Sequence, residues 1–264
     1  MNARRLLIGT ALFLTLGFLV APVLGIFVHA FGKGWAYFVA SIGHAETLHA
    51  IWLTGLTAII VVPVNLLFGI AAAWAVTKFT FPGKRLLIAL IELPFSVSPI
   101  VAGVIYILLY GAQGLFGPFL QAHDLKIMFS VTAIVLVTLF VTSPFVAREL
   151  IPLMQAQGTD EEETAVSLGA SGWQTFWRVT LPNIKWVLLC NARAMGEFGA
   201  VSVVSGNIRG QTNTLPLQID LLYHDYNAVG AFAATTVLTL LALVTLAAKT
   251  VLEARVPDRS RKAH

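Results

Sequence analysis

The stretch TDEEETAVSLGASGWQTFWRVTLP, from Thr159 to Pro182, lies between two strongly apolar segments and holds the densest acidic cluster of the chain. Thr159 or Asp160 can cap the N-terminus of a first helix, and the glutamates of its first turn suit the positive end of a helix dipole. Gly169 stands where a C-terminal cap must turn left-handed. The stretch therefore predicts a short helix over 160–168 that ends at this glycine.

A second helix is predicted directly after the glycine. Ser171 and Gln174 have the spacing of a capping box, in which each residue bonds the backbone N–H of the other. Pro182 is predicted to open the next element. The aromatic residues that share one face of this helix, at i, i+3 and i+4, are Trp173, Phe176 and Trp177. A capped helix pair with an aromatic face, placed between membrane segments, indicates a docking device.

This stretch resembles the EAA loop of ATP-binding-cassette (ABC) importer permeases. The pattern of that family is Glu-Ala-Ala, three residues, Gly, nine residues, an aliphatic residue, one residue and Leu-Pro. The positions that match it, with every spacing kept, are Glu163, Ala165, Gly169, Val179, Leu181 and Pro182. Thr164 departs from the first alanine but is also small. With the aromatic face included, the residues predicted to couple the chain to an ATPase are Glu163, Ala165, Gly169, Trp173, Phe176, Leu181 and Pro182.

The composition of the chain indicates a membrane protein. Of its 264 residues, 57% are hydrophobic and 11% are charged, whereas a soluble domain has about 25% charged residues. Six segments reach the roughly 20 apolar residues needed to cross a bilayer. They lie near 6–30, 50–77, 86–110, 128–150, 184–206 and 228–251. We therefore predict an all-α polytopic membrane protein with six transmembrane helices, one permease domain over 1–264, and a first span that is retained rather than cleaved as a signal peptide.

Lysine and arginine flank these spans unequally. One side carries Arg4, Arg5, Lys78, Lys84, Arg85, Arg148, Arg178, Lys185, Lys249, Arg255, Arg259, Arg261 and Lys262. The other side carries Lys33, Lys126 and Arg209. By the positive-inside rule, both termini and the 159–182 loop are predicted to be cytosolic. The predicted external loops are 31–49, 111–127 and 207–227.

The third predicted span contains Glu92, Ser96 and Ser98 together with Pro94 and Pro99. Proline inside a span frees backbone carbonyls, which is tolerated where neighbours or a water-lined cavity satisfy them. The segment ELPFSVSPIVAGVIY (92–106) therefore predicts a kinked, polar-lined span, and it resembles the third-span segment of sulfate and molybdate permeases. A kink that only shapes the bundle is the open alternative.

The fifth predicted span contains Arg193 and Glu197, four residues apart, which can pair on one helix face. A charge at the bilayer centre costs about 2.5–3.5 kcal/mol on insertion scales, so such residues normally face a protein interior or a pathway. The small residues Gly196, Gly199 and Ala200 would allow another helix to approach closely. Two interpretations stay open, a gate or pore-lining pair and a buried structural ion pair between subunits.

The resemblance extends over about residues 6–252 and becomes more specific, to sulfate/thiosulfate ABC importer permeases of the CysW subunit type. Its segments are LHAIWLTGL (48–56), FVTSPFVARELIP (140–152), NARAMGEFGAVSVVSGNIRG (191–210) and LPLQIDLLYHDYNAVGAF (215–232). The chain departs from that subfamily between Leu181–Ile184 and Asn191–Ala194, where it is shorter by roughly a helical turn or more. Each helical residue turns the chain by about 100°. We therefore expect the fifth span to be rotated relative to the preceding loop and barely long enough to cross the bilayer.

The resemblance implies a type I importer in the bacterial inner membrane. This chain and a paralogous permease would form the pathway, and a periplasmic sulfate/thiosulfate-binding protein would deliver the anion. Two cytosolic ATPase subunits would bind ATP, and the helix 160–168 would dock in a cleft of the ATPase. The chain has no G-x-x-x-x-G-K-[ST] phosphate loop. We therefore expect no catalytic residue, cofactor or metal on it, and membrane lipid rather than nucleic acid around it.

Sulfate is a dianion, and its pathway requires several weak contacts because the ion must leave again. Residue type and depth in the membrane favour hydroxyl donors for these contacts, namely Ser96, Ser98, Ser202 and Ser205. The predicted pathway or gate residues are these serines with Glu92, Arg193 and Glu197.

Three alternative functions remain open. Molybdate or another oxyanion shares the charge and shape of sulfate. A secondary transporter or channel is compatible with six spans and intramembrane charges, but it gives the 159–182 loop no role. The string GASG (169–172) fits rhomboid-type intramembrane serine proteases, which need the serine inside the bundle opposite a later histidine. Ser171 is instead predicted in a cytosolic loop, and the later histidines, His224 and His264, lie outside the predicted spans.

Overall fold

The computed structural model describes residues 3–188 and 196–254. Over these residues the chain is helical and contains no strand, so the all-α prediction is confirmed. The helices are α1 Ala3–Thr15, α2 Ala21–Ala30, α3 Trp35–Ile42, α4 Ala45–Lys78, α5 Lys84–Ser96, α6 Pro99–Tyr110, α7 Gly117–Ala122, α8 Val131–Gln157, α9 Asp160–Ser167, α10 Gly172–Thr175, α11 Leu181–Leu188, α12 Gly199–Val204, α13 Leu215–His224 and α14 Ala228–Ala254. Leu16–Val20 and Phe176–Thr180 are π-helical turns.

Four of the predicted spans correspond to long apolar helices. Among the described residues, four helices are long and apolar enough to cross a membrane: Ala3–Ala30, Ala45–Lys78, Val131–Gln157 and Ala228–Ala247. They match the predicted spans 6–30, 50–77, 128–150 and 228–251. The predicted external loops contain the short helices α3, α7 and α13.

The third predicted span, 86–110, is a broken pair of helices rather than one kinked helix. α5 and α6 are bent by 106° at their junction. Val97 and Ser98 form this junction in an extended conformation, with ψ angles of 129° and 137°. The ring of Pro99 explains the position of the break, because it disfavours a helical conformation in the residue before it. Pro94 lies inside α5, so the second proline ends the helix.

The fifth predicted span, 184–206, is not one continuous helix. α11 covers its beginning, and residues 189–195 lie outside the described part of the chain. Glu197 and Phe198 are not helical, and α12 begins only at Gly199. The predicted rotation and shortening of this span depend on residues 189–195 and stay a prediction.

The chain divides into two compact units, the first formed by Met1–Leu53 and Arg209–Leu241. Its apolar core contains Ala30, Phe38 and Ala233. The ring of Phe232 stacks on His29 with centroids 4.9 Å apart. These contacts pack α2, α3 and the first part of α14 against one another.

The second unit, formed by Thr54–Ile208 and Ala242–His264, contains the 159–182 loop. One core cluster packs α4, α8 and α11 together through Ala73, Leu150, Met154 and Ile184. α4 and α8 lie very close, since a Cβ added at Gly69 would be 2.4 Å from the Cβ of Val146. α11, which follows the loop, is thus packed directly against two of the long helices.

Candidate functional site

The first predicted helix of the loop is present as α9, Asp160–Ser167. Thr159 occupies its N-cap position, but within the described part of the chain its side chain makes no capping bond to the backbone. Its hydroxyl donates instead to Oε1 of Glu163 at 2.7 Å. Thr159 is thus the N-cap residue, as predicted, and its hydroxyl bonds a side chain of the first turns rather than a backbone N–H.

Gly169 ends α9 as predicted. Its φ angle is +89°. The N–H of Gly169 donates to the carbonyl of Val166 at 2.9 Å, and the N–H of Ala170 donates to the carbonyl of Ala165 at 3.0 Å. These two bonds form a Schellman motif, which requires a left-handed residue at the glycine position.

The predicted capping box at the start of α10 is confirmed. The backbone N–H of Ser171 donates to Oε1 of Gln174 at 2.9 Å, and the N–H of Gln174 donates to Oγ of Ser171 at 3.3 Å. The chain then remains helical through the π turn into α11. Pro182 therefore does not open a separate element: it is the second residue of α11 and follows the π turn without a break.

The aromatic face of the loop, defined as Trp173, Phe176 and Trp177, is brought together by the structure. The centroids of its three ring pairs lie 5.6–5.9 Å apart. Phe176 turns inward and its ring lies 4.9 Å from that of Trp74 on α4. Trp173 and Trp177 remain 67% and 51% exposed. Val166 on α9 and Leu168 directly after it are also exposed apolar residues, at 56% and 84%.

The other residues that match the EAA pattern have different surroundings. Glu163 is exposed, and Ala165 and Pro182 are partly buried. Leu181 packs against the core cluster of α4, α8 and α11. The loop thus joins an exposed end at α9 to a packed end at α11.

Residues that the sequence did not predict attach α9 to the rest of this unit. Lys78, the last residue of α4, forms an ion pair with Glu162, and its Nζ also donates to the carbonyl of Gly158 at 2.6 Å. The hydroxyl of Thr180 donates to Oε1 of Glu162 at 2.9 Å. Asn183 Nδ2 donates to Oε2 of Glu161 at 2.7 Å. A weak signal was present, since a lysine at the end of a predicted span and a cluster of glutamates were both assigned to the cytosolic side.

Three of the predicted pathway residues lie around the break between α5 and α6. Glu92, Ser96 and Ser98 are exposed in this unit. Ser98 is the N-cap residue of α6, and among the described residues its side chain makes no capping bond. The first turn of a helix leaves backbone N–H groups without partners inside the helix. Ser98 and the start of α6 thus present hydroxyl and N–H donors at the break.

Three further predicted pathway residues lie on or beside α12. Glu197 Oε1 accepts from the N–H of Ala200 at 3.3 Å and so caps the helix. Ser202 donates to the carbonyl of Gly199 at 2.8 Å. Ser205 is fully buried, and its Oγ accepts from the N–H of Asn207 at 3.2 Å. Arg193, the predicted partner of Glu197, lies outside the described residues.

α12 packs closely on α6, which brings the pathway residues predicted at the α5–α6 break near those predicted on α12. A Cβ added at Gly199 would be 3.1 Å from the Cβ of Pro99, and one added at Gly103 would be 2.7 Å from the Cβ of Val203. The prediction that small residues here allow close approach is confirmed for Gly199, whereas a Cβ at Gly196 would meet no described atom within 4 Å. The broken end of α6 therefore lies beside the start of α12.

Comparison with known proteins assigns the chain to a family. The family model of the binding-protein-dependent transport system inner membrane component matches residues 65–257. The chain belongs to this family. It is 54% identical over 262 residues to the sulfate transport system permease protein CysW of Escherichia coli (strain K12), covering 97% of this chain and 90% of that protein. It is 31% identical over 253 residues to the permease protein CysT of the same system and strain, covering 94% of this chain and 91% of that protein.

A solved structure of an ABC transporter has the same fold. The crystal structure of a bacterial ABC transporter involved in the import of the acidic polysaccharide alginate matches with a TM-score of 0.78 at 17% identity, covering 96% of each chain. The chain is thus a multi-pass membrane permease subunit with the ABC importer fold, and the resemblance inferred from the 159–182 loop is confirmed.

Proposed function

We propose that this chain is a permease subunit of an ATP-driven importer of sulfate or thiosulfate. The similarity to CysW, 54% over 97% of the chain, is the observation that carries the proposal. It spans both the loop and the segments around the α5–α6 break. A secondary transporter or an intramembrane protease gives the loop no role, whereas a molybdate importer would use both regions and differs from a sulfate importer only in its anion.

A paralogous permease is the proposed partner in the membrane. The chain is similar both to CysW and, at lower identity, to CysT of the same organism. Two subunit types in one transport system support a pathway built from two different permeases. The family description names dependence on a binding protein, which supports delivery of the anion by a periplasmic partner.

The 159–182 loop is proposed to face the cytosol and to dock on one of two ATPase subunits. Its exposed apolar residues, Val166, Leu168, Trp173 and Trp177, suit insertion of a short helix pair into a hydrophobic groove. The site residues Glu163, Ala165 and Gly169 shape this surface, while Phe176, Leu181 and Pro182 join it to the packed core. ATP would be bound and hydrolysed by the partner, so this chain supplies no catalytic residue.

The broken ends of α6 and α12 are proposed to line the anion pathway. In transporters, interrupted helices present the positive ends of half-helices to anionic groups near the middle of the membrane. Ser96 and Ser98 are exposed at such an interruption. Hydroxyl and backbone N–H groups at such a site would make several weak contacts with the anion, as passage of a dianion requires.

Reconstitution tests this function directly. The chain is combined with the paralogous permease, the ATPase subunits and the binding protein in proteoliposomes, and uptake of labelled sulfate is measured with ATP and with a non-hydrolysable analogue. We expect uptake with ATP that is competed by thiosulfate. Uptake that does not require ATP would support a secondary transporter instead. Stronger competition by molybdate than by thiosulfate would assign the importer to molybdate.

A further inference from the structure

α9 is attached to its unit in an unusual way. None of its residues, all of which the structure describes, is buried. Hydrophobic packing therefore does not hold it in place. α9 is flanked by two glycines in the left-handed region, Gly158 with φ +69° before it and Gly169 with φ +89° after it. Glycine has the fewest steric restrictions on its backbone angles, so these are the two positions at which α9 can pivot most readily.

A set of polar contacts takes the place of packing. Glu162, in the first turn of α9, receives the ammonium of Lys78 on one carboxylate oxygen and the hydroxyl of Thr180 on the other. The side chains of Lys78 and Glu162 are only 10% and 19% exposed. Thr180 is buried and directly precedes α11. Screening by solvent is weak at such a site, so the ion pair is stronger than one on an open surface.

Lys78 also fixes the pivot before α9. Its Nζ donates to the carbonyl of Gly158 at 2.6 Å, where α8 ends. A cation is favourable at this position because the C-terminal carbonyls of a helix carry partial negative charge. The ammonium group of Lys78 therefore contacts the end of α8 and the first turn of α9, and Lys78 itself is the last residue of α4.

We propose that Lys78, Glu162 and Thr180 form a clamp that makes α9 move as one body with the ends of α4, α8 and α11. This inference rests on the proposed function, in which α9 docks on an ATPase. Movement of α9 reaches the membrane helices chiefly through the clamp, which is less exposed than another side-chain link from α9, the bond of Asn183 to Glu161. The clamp residues are positioning residues: they act through α9 and are not assigned contact with either ATP or the anion.

Replacement of Lys78 by methionine in the full reconstituted complex tests the clamp. Methionine replaces the apolar stem of the side chain but lacks the terminal ammonium group and its charge. We expect the amount of labelled sulfate imported per ATP hydrolysed to fall at least tenfold, while the ATPase still co-purifies in the wild-type ratio. Stimulation of ATP hydrolysis by the loaded binding protein is expected to fall as well, because the signal must cross the same contacts.

Lys84→Met is the matched control. Lys84 begins α5 and lies six residues after Lys78, and its Nζ donates weakly to the carbonyl of Phe79 at 3.5 Å. This variant removes the same charge from the same predicted side of the membrane. We expect its sulfate-to-ATP ratio to equal that of the wild type within twofold.

Two more variants test whether the residues act as a unit. Thr180→Val keeps the shape of the side chain but removes the donor to Glu162, and we expect a two- to threefold loss in the sulfate-to-ATP ratio with normal insertion. The double variant Lys78→Met/Glu162→Gln is expected to lose no more than Lys78→Met alone. If the double variant instead loses clearly more of the sulfate-to-ATP ratio than Lys78→Met alone, the two residues act separately and the clamp is wrong.

The outcomes separate the clamp from the proposed function. If the wild-type complex imports no sulfate with ATP, the proposed function fails whatever Lys78 does. If the wild type imports sulfate and Lys78→Met has the ratio of Lys84→Met, the clamp alone fails. Loss of the ATPase from the purified Lys78→Met complex would also overturn the clamp, because Lys78 would then serve docking rather than transmission.

Discussion

The 159–182 loop and the region where α6 meets α12 are both polar interruptions in an apolar chain, but they are built in different ways. In the loop, Ser171 bonds Gln174 three residues away, and Ala170 bonds Ala165 five residues away. Where α6 meets α12, Pro99 approaches Gly199 across a hundred positions of the sequence. The first region is encoded locally and the second depends on tertiary packing, which explains why the sequence predicts the loop in more detail.

The largest effect is expected for Gly169→Trp, which tests the local encoding of the loop. A non-glycine residue in the left-handed conformation costs about 1–2 kcal/mol, and the tryptophan side chain would add bulk to the exposed surface proposed to dock. We expect ATP-driven sulfate uptake to be abolished while the protein still inserts into the membrane, as measured by fractionation and transport. Gly169→Asn is the control, because asparagine accepts this conformation, and it should keep at least one tenth of the uptake. Ordinary uptake by the Trp variant would contradict the docking model.

A double replacement, Ser96→Ala with Ser98→Ala, tests the second region, at the break between α5 and α6. Each lost hydrogen bond is worth about 0.5–1.5 kcal/mol, and about 1.4 kcal/mol corresponds to a tenfold change. We expect sulfate uptake to fall about tenfold and the preference over other oxyanions to weaken. Ser202→Ala and Ser205→Ala should change uptake less, since both hydroxyls already bond within the protein.

Ser143→Ala is the matched control for these serines. Ser143 lies on α8 and donates to the carbonyl of Phe140 at 3.0 Å. The Ser143→Ala substitution removes a hydroxyl from another membrane helix and should leave sulfate uptake and anion preference unchanged. If the Ser96/Ser98 variant behaves in the same way, the break between α5 and α6 does not line the pathway.

Much of the fold could be predicted because its signals are local. Long apolar runs predicted six spans, four of which are long apolar helices, and the glycine, serine and glutamine of the loop predicted its turn and its capping box. The break at Ser98 could not be located from the sequence, because Pro94 and Pro99 both disfavour a continuous helix, yet Pro94 lies inside α5 and only Pro99 follows a break. The contact of Lys78 with Glu162 joins residues 84 positions apart. Charge pattern placed both on one side of the membrane, but it contains no information on which lysine meets which carboxylate.

Gly103→Ala measures how strongly the non-local region depends on packing. The added Cβ would lie 2.7 Å from the Cβ of Val203 and 2.9 Å from the carbonyl oxygen of Ala200. Since a backbone oxygen cannot move aside cheaply, we expect overpacking to cost about 1–3 kcal/mol and to lower the midpoint of thermal unfolding in detergent. Gly55→Ala on α4, where an added Cβ meets no described atom within 4 Å, should not lower it. Equal midpoints would mean that α12 is held against α6 by other contacts.

The smallest effect is expected for Ser171→Ala, which removes one half of the capping box. Loss of an N-cap side chain typically costs about 1 kcal/mol, so hydrogen exchange of the Gln174 amide should become about fivefold faster while sulfate uptake changes less than twofold. Ser167→Ala is the control, because its hydroxyl donates to the carbonyl of Glu163 inside α9 and takes no part in the box. If exchange at Gln174 is the same in both variants, residues outside the loop hold this turn. The loop would then depend on tertiary packing as much as α12 does, and the contrast between the two regions would not stand.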